Sequence, residues 1–337
     1  MKKVTILSAL VLISILVYSQ VDKNTFTAMF YNVENLFDIT DDPNTKDDEF
    51  TPEGSKKWNK ERYDKKLKNL SIVISSIGDN ELPELVGLCE VENRKVIQDL
   101  ILQDRIKDIE YRFVHQESPD TRGIDVALLY DAEEFYYLNH KIIPVKPEFD
   151  KDFKSRDILY VSGIINQTDT LHVFVNHWKS RWGGTEETEK YRMEYAKLVR
   201  NEIDQITSIY RSAKILVMGD LNDTPMNKSV KETLKADNSG NKESLNNLMI
   251  PFTEKGLGTH NYKGEWSVLD HIIVSNSLLN CTTGFVVKNK EAHIFSADWI
   301  TYESKEGNKS PNRTYGGPNY YGGYSDHYPV YVVLTKQ

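Results

Sequence analysis

The stretch Ser325-Asp326-His327-Tyr328-Pro329-Val330-Tyr331-Val332-Val333-Leu334 sets an acid and an imidazole side by side at the mouth of an apolar run. The run is rich in β-branched and aromatic residues and reads as a strand. A buried strand has no use for a neighbouring carboxylate and imidazole, whereas a catalytic site does. Working outward, the same arrangement recurs. Residues 26–33 are mostly apolar and lead into Asn32 and Glu34, and residues 85–89 end at Glu90. The apolar stretch 171–176 ends at His177, and 215–218 leads into Asp220 and Asn222. A further strand over 267–274 carries Asp270 and His271. Six strands thus end in polar residues, and the rest of the chain reads as a scaffold that gathers those ends.

The chain has 337 residues, of which 39% are hydrophobic and 27% charged. That is enough to bury a large core, and the aromatic content argues against disorder. Lys2 and Lys3 precede an apolar run over 4–17, with Val17 and Ser19 near a cleavage point at Ser19 or Gln20. This is the pattern of a secretory leader, and the run is too short to span a bilayer. The expectation is a signal peptide over 1–20, a mature domain over 21–337, export to the periplasm or medium, and no stable membrane anchor. A net charge of −8 excludes a protein living on non-specific nucleic-acid binding, though not a local basic groove or a bound metal. Cys89 sits in an apolar run and reads as a core thiol, although an exported chain could pair it with Cys281.

Apolar spacing of three to four predicts helices over 58–77, 96–109 and 186–207. Further strands are expected at 111–115, 124–130, 135–145, 158–166 and 285–288. Residues 226–255 read as helix and loop, and 301–324 as a polar loop rich in Gly and Tyr. Strands and helices mix without strict alternation. The predicted fold is therefore α/β, two sheets packed face to face with helices outside, in one domain.

Carboxylates and a carboxamide suit a hard divalent cation such as Mg²⁺. Two histidines add proton transfer near neutral pH. No structural zinc spacing and no P-loop is present. Each residue also has a plainer use. Asn32 and Glu34 could be turn residues, Glu90 a strand end, Asp220-Leu221-Asn222 an Asx turn, and His177 a packed histidine. Strand alternation sends Asp270 and His271 to opposite faces, with Asp270 toward the site and His271 structural.

The order of these segments carries a resemblance. Phe30-Tyr31-Asn32-Val33-Glu34-Asn35, Leu88-Cys89-Glu90-Val91-Glu92, Arg122-Gly123-Ile124-Asp125, Val175-Asn176-His177-Trp178, Gly219-Asp220-Leu221-Asn222, Leu269-Asp270-His271 and Ser325-Asp326-His327-Tyr328 follow one another. Over residues 26–335 the chain resembles the endonuclease/exonuclease/phosphatase superfamily, with its deoxyribonuclease I-like fold. The segment 177–184 is similar to its secreted bacterial nuclease branch. The resemblance implies Glu90 as the main Mg²⁺ ligand, with Asn32, Glu34 and Asp326 in or near the metal shell. Mn²⁺ would substitute, and Ca²⁺ is a candidate for a second site. It implies that Asp220 positions or deprotonates the attacking water and that Asn222 holds that water or a phosphate oxygen. His327, bonded to Asp270, would lie against the phosphate, and His177 would donate to it or act as general acid. Glu117 and Asp125 are the implied partners of His177.

Arg122, Lys179 and Arg181 are expected to touch phosphate, with Arg192 and Arg200 as further candidates for a steering rim; Arg200 reads rather as part of a solvated helix face. Tyrosines of the loop 315–324, Tyr324 among them, either stack on substrate or pack locally. The expectation is an exported, monomeric, Mg²⁺-dependent phosphodiesterase, a nuclease cutting DNA or RNA. The alternatives are a phosphatase or phosphodiesterase for an inositol phosphate, a sphingomyelin-like lipid or a nucleotide, and a non-catalytic binding module with the same fold.

Overall fold

The computed structural model describes residues 23–78 and 82–337. The leader reading falls on residues 1–20, outside the described residues. In chain order the elements are β1 (Thr25–Leu36), α1 (Lys60–Ile74), β2 (Leu85–Val91), α2 (Arg94–Ile101), β3 (Arg112–His115), β4 (Asp125–Tyr130), β5 (Phe135–Ile143), β6 (Ile158–Ile165) and β7 (Asp169–His177). Then come α3 (Thr185–Ile209), β8 (Lys214–Asp220), β9 (Leu245–Asn247), α4 (Ile250–Glu254), β10 (His260–Tyr262), β11 (Glu265–Ser267), β12 (Asp270–Ser275) and α5 (Asn276–Asn280). The chain closes through β13 (Phe285–Val287), β14 (His293–Ile294), β15 (Thr301–Glu303), β16 (Lys309–Pro311), β17 (Tyr315–Gly316), β18 (Asn319–Tyr320) and β19 (Val330–Lys336).

Two mixed sheets face each other. One runs β13-β19-β1-β2-β4-β3, with β14 on β19, and the other runs β5-β6-β7-β8-β12-β9. The period-two side-chain pattern of β1 explains the layering. Phe26, Ala28 and Phe30 point between the sheets, where they meet Val173, Met218 and Ile272. Met29, Tyr31 and Val33 point outward beneath Leu67, Leu70 and Ile74 of α1 and Val96 of α2. On the opposite outer face, Tyr195, Val199 and Ile203 of α3 cover Phe174, Ile215 and Val217. Strands buried on both faces read as continuous apolar runs. The expected α/β sandwich with outer helices is the observed fold.

Local differences have physical reasons. The helix expected over 96–109 ends at Ile101. Ile106 and Ile109 keep the helical spacing, but a turn and one 3-10 turn deliver them to the core. The stretch 226–255 includes an edge strand, β9, too short to show a period. The loop 301–324 holds two ribbons, β15–β16 and β17–β18. Cys89 and Cys281 are both free, and Cys89 is buried in the core.

Candidate active site

Strand direction gathers the polar ends. β1 and β2 are parallel, so Asn32 and Glu90 leave the sheet on the same side. β19 is antiparallel to β1 with Phe30 opposite Val330, which brings residues 325–327 to that same end. In the other sheet β7 and β8 are parallel and pair His177 with Asp220. β12 is antiparallel to β8 and sets Asp270 opposite Asp220. The ladder shifts register between Asn32 and Leu36 and between Cys89 and Val91. Glu34, Asn35 and Glu90 take left-handed backbone at these shifts, and Asn222 does so after β8. Such irregularities re-aim side chains at a strand end.

The centre is an acid–imidazole–acid array. His327 Nδ1 lies 2.7 Å from Asp270 Oδ2, and its Nε2 lies 3.9 Å from Asp220 Oδ2. Burial alone would lower the His327 pKa, but Asp270 and Asp220 hold it well above the ordinary range. Burial, reinforced by Asp270, pushes the Asp220 carboxyl up to about 7 against the pull of His327. Asp220 accepts from the Asn222 backbone N–H at 2.9 Å and from Asn32 Nδ2 at 3.1 Å. Across the site, His177 Nε2 stands 3.8 Å from both Glu90 Oε1 and Asp220 Oδ2. Burial, then Arg156, Arg122 and His327, lowers its pKa far below the ordinary value, so His177 is neutral. The two histidines therefore differ in charge.

Glu90 is fixed by the Asn35 N–H at 2.9 Å yet keeps 14% of its side chain exposed. Asn32 turns its amide nitrogen to Asp220 and Glu90, and its oxygen accepts from the Glu34 N–H. In this arrangement it acts as a donor to carboxylates rather than as an oxygen ligand. Both oxygens of Glu34 accept backbone N–H groups, from Thr314 at 2.6 Å and Tyr315 at 3.1 Å. Burial and Asp326 push its carboxyl up to about 7 despite Lys66 at 3.8 Å. Glu34 thus clasps the loop that carries the last site residues. Asp326 faces Arg313 at 3.4 Å; burial acts to raise its pKa, but His327, His260 and Arg313 hold it below the usual range.

Several expected partners go elsewhere. Asp125 accepts from the Ser118 N–H and faces His115 at 3.4 Å, and burial and Asp125 raise the pKa of Glu117. The carboxylates facing His177 are instead Glu90 and Asp220. Arg181 donates to the Asn222 carbonyl at 2.7 Å and to Asp223, so it braces the loop from behind rather than forming a free rim. Arg192 is fully buried against Asp223 at 2.8 Å. Arg200, read as solvated, is buried beside Asp204. Arg192 lies three and four residues from Tyr195 and Ala196, and Arg200 four from Ala196 and three from Ile203, so both share the buried face of α3. Arg122 is half-exposed beside Asp120, and Lys179 is half-buried with its pKa lowered by burial, Arg156 and Arg122. Tyr324 packs its ring edge-on against Trp299 at 5.2 Å. His271 lies on the far face of β12, near Asn247 and the Asp223 carbonyl, as alternation predicts.

Four further residues reach the site from outside the strand ends. His260 of β10 packs its ring, tilted by 39°, against His327 with centroids 4.7 Å apart. Arg313 reaches Asp326. Buried Lys66 donates to Thr314 Oγ1 and to the Tyr324 carbonyl, both at 2.6 Å. Buried Arg156 donates to the Trp178 carbonyl at 2.6 Å, which also accepts from Asn222 Nδ2 at 3.1 Å.

The donor set fits a hard divalent cation. Asp220, Asp270 and His327 offer ligand atoms within 4.8 Å of one another, as do His260, Asp326 and His327. Asp270 Oδ1 is buried without a hydrogen-bond partner. Burial first, then Asp326 beside Glu34 and Asp270 beside Asp220, raises these two carboxyls to about 7. Glu90 keeps a partly open carboxylate at the end of β2, at the same end of the sheet as the residues that lead into β19.

The sequence profile of the Endonuclease/Exonuclease/phosphatase family matches residues 27–336. No curated protein matches the chain. Among solved structures, the human Nocturnin catalytic domain with bound sulfate is 16% identical with a TM-score of 0.57, over 94% of this chain and 97% of that one. A Bacteroides thetaiotaomicron mannosyl-6-phosphatase is 16% identical with a TM-score of 0.56, over 92% and 99%. A humanized D. rerio TDP2 is 12% identical with a TM-score of 0.53, over 92% and 98%. At these identities the likeness is one of fold.

Proposed function

The chain belongs to the Endonuclease/Exonuclease/phosphatase family, and on that footing we propose that it is an exported Mg²⁺-dependent phosphodiesterase that hydrolyses nucleic acid by in-line attack of water on phosphorus. Metal-dependent hydrolysis of phosphate esters is the family's chemistry, and the acidic cluster suits it. The observation that carries the catalytic reading is the 2.7 Å bond from His327 to Asp270, with Asp220 on the other side of the ring.

Asp270 takes the Nδ1–H of His327, so Nε2–H is free to bond a phosphate oxygen. The raised pKa keeps that imidazole charged at neutral pH, and a charged donor stabilises the extra negative charge of the transition state. Asp220, near 7, is matched to accept a proton from the attacking water. Asn32 and the Asn222 N–H hold its two oxygens in place. Neutral His177 is a hydrogen-bonding group beside Glu90 and not a cation. Glu90 and Asp326 would hold a divalent cation, which would supply Lewis-acid polarisation of a phosphate oxygen.

The test uses the mature chain with Mg²⁺ or EDTA, offered plasmid DNA, structured RNA, a chromogenic bis-ester and an inositol phosphate. Metal-dependent cutting of DNA or RNA above the bis-ester rate is expected. Turnover of the inositol phosphate with intact nucleic acid would sink the nuclease reading. The net charge of −8 favours that second reading, a small or lipid-linked phosphate. Export is read from residues 1–20, and the mass of the protein recovered outside the cell checks cleavage near Ser19 or Gln20. A single species at monomer mass is expected on sizing.

A further inference from the structure

Beside the site lies a cavity of about 930 Å³, walled by the β10–β11 hairpin, the β15–β16 ribbon and the β17–β18 ribbon. We infer that this cavity is a subsite for one unpaired nucleotide, taking the base and the flanking phosphate next to the scissile bond. The inference rests on the nucleic-acid reading above and sharpens it.

Three features point to this occupant. The chain has 19 tyrosines, and three that line this cavity are left largely open: Tyr262 at 64%, Tyr302 at 55% and Tyr321 at 60% exposure. Open aromatic faces around a cavity are stacking platforms for bases. Lys263, Lys309 and Arg313 line it with Glu306, while Lys309 also faces Glu303 at 3.8 Å and Arg313 faces Asp326 at 3.4 Å, in a chain of net charge −8. A basic spot on an acidic protein fits a second phosphate. The cavity also adjoins the chemistry. Arg313 lies in its wall and reaches Asp326 at 3.4 Å, and His260 begins the hairpin and bridges to His327.

The wall is built rather than loose. Arg62 sits 4.2 Å over the Tyr320 ring, and the Asn312 N–H bonds the Ile300 carbonyl at 2.8 Å. A Cβ at Gly316 would lie 2.5 Å from the Tyr321 ring, so glycine is what lets that ring fold onto the loop. The volume matches a nucleotide-sized ligand, in the range of about 300–1,000 Å³ for small-molecule sites.

The test is calorimetric binding of adenosine 3′,5′-bisphosphate to the mature chain in EDTA. Binding is expected, and a Tyr262→Ala/Tyr302→Ala variant should weaken it about tenfold or more, as expected for lost stacking. Tyr302→Phe should retain it. Unchanged thermal unfolding of the variants confirms the fold, since both rings are mostly exposed. Fructose 1,6-bisphosphate, two phosphates on a ring without a base, should bind distinctly more weakly. Absent nucleotide binding, undiminished binding by the double variant, or equal binding of the sugar bisphosphate would each overturn the subsite. Tyrosine-dependent binding without cutting of plasmid or RNA supports the subsite and removes the nuclease reading instead.

Discussion

His327 Nδ1 and Asp270 Oδ2 are 2.7 Å apart, and Asp270 stands opposite Asp220 across the β8–β12 ladder. One imidazole is thus held between carboxylates from adjacent strands. Its charge state is a property of the sheet register as much as of the residue.

Asp270→Asn keeps the shape but removes the anion under His327. Turnover should fall roughly 100-fold or more, the range of a lost acid–base partner. Asp270 raises the His327 pKa, so its loss must move the alkaline limb of kcat/KM to lower pH. Rate against pH checks this, and an unmoved limb would refute the pairing's role.

Glu90→Ala should lower turnover at least ~100-fold and raise the metal concentration needed for half-maximal rate. EDTA should abolish activity of the parent, and Mg²⁺ should restore it. His327→Ala should lose as much turnover. Near-full activity in both variants would remove the site assignment.

Glu92 predicts a pH-dependent stability. Burial, with Asp38, Asp47 and Glu117 nearby, pushes its carboxyl from an ordinary 4.5 up to about 8. A raised carboxyl pKa means the folded state holds the proton that the unfolded state releases. Its contribution is therefore complete below pH 4.5 and is lost as pH rises toward 8. Glu92→Gln cannot ionise and should be more stable than the parent at pH 8, with the difference vanishing near pH 4. Thermal unfolding at the two pH values decides it.

Arg192 and Asp223 form an ion pair with both side chains fully buried, and Asp223 also accepts from Ser229 Oγ. Asp223→Ala leaves a buried guanidinium unpaired and should cost about 3–5 kcal/mol. Because Asp223 follows Asn222 in the loop braced by Arg181, turnover should fall as well. Urea unfolding midpoints check the cost, and a change under about 1 kcal/mol would contradict the pair's importance.

Much of the site was legible because a strand announces its own end. Asn32, Glu90, His177 and Asp220 each break an apolar run, and Asp270 follows from alternation. Lys66 and Arg192 were legible in principle. Lys66 lies between Tyr63 and Leu70 on the buried face of α1, as Arg192 lies beneath Tyr195 on α3. The rule that charge faces water hid them, since only partners distant in sequence make their burial tolerable. His260, Arg313 and Arg156 had no such signal. They come from short hairpins and loops, where no period connects residue to face. The left-handed turns at Glu34 and Glu90 were equally silent, because glutamate does not announce positive φ.

β19 is the last described strand, yet it lies inside its sheet, between β1 and β13. A ribosome therefore delivers the first strand long before its central neighbour. A nascent chain halted short of Ser325 has Glu90, Asp220 and Asp270 but no His327, and β1 keeps an open edge. Such a chain lacks the imidazole of the acid–imidazole–acid array. In a phosphate-ester hydrolase built this way, the site is completed only when the last of the described strands has been made.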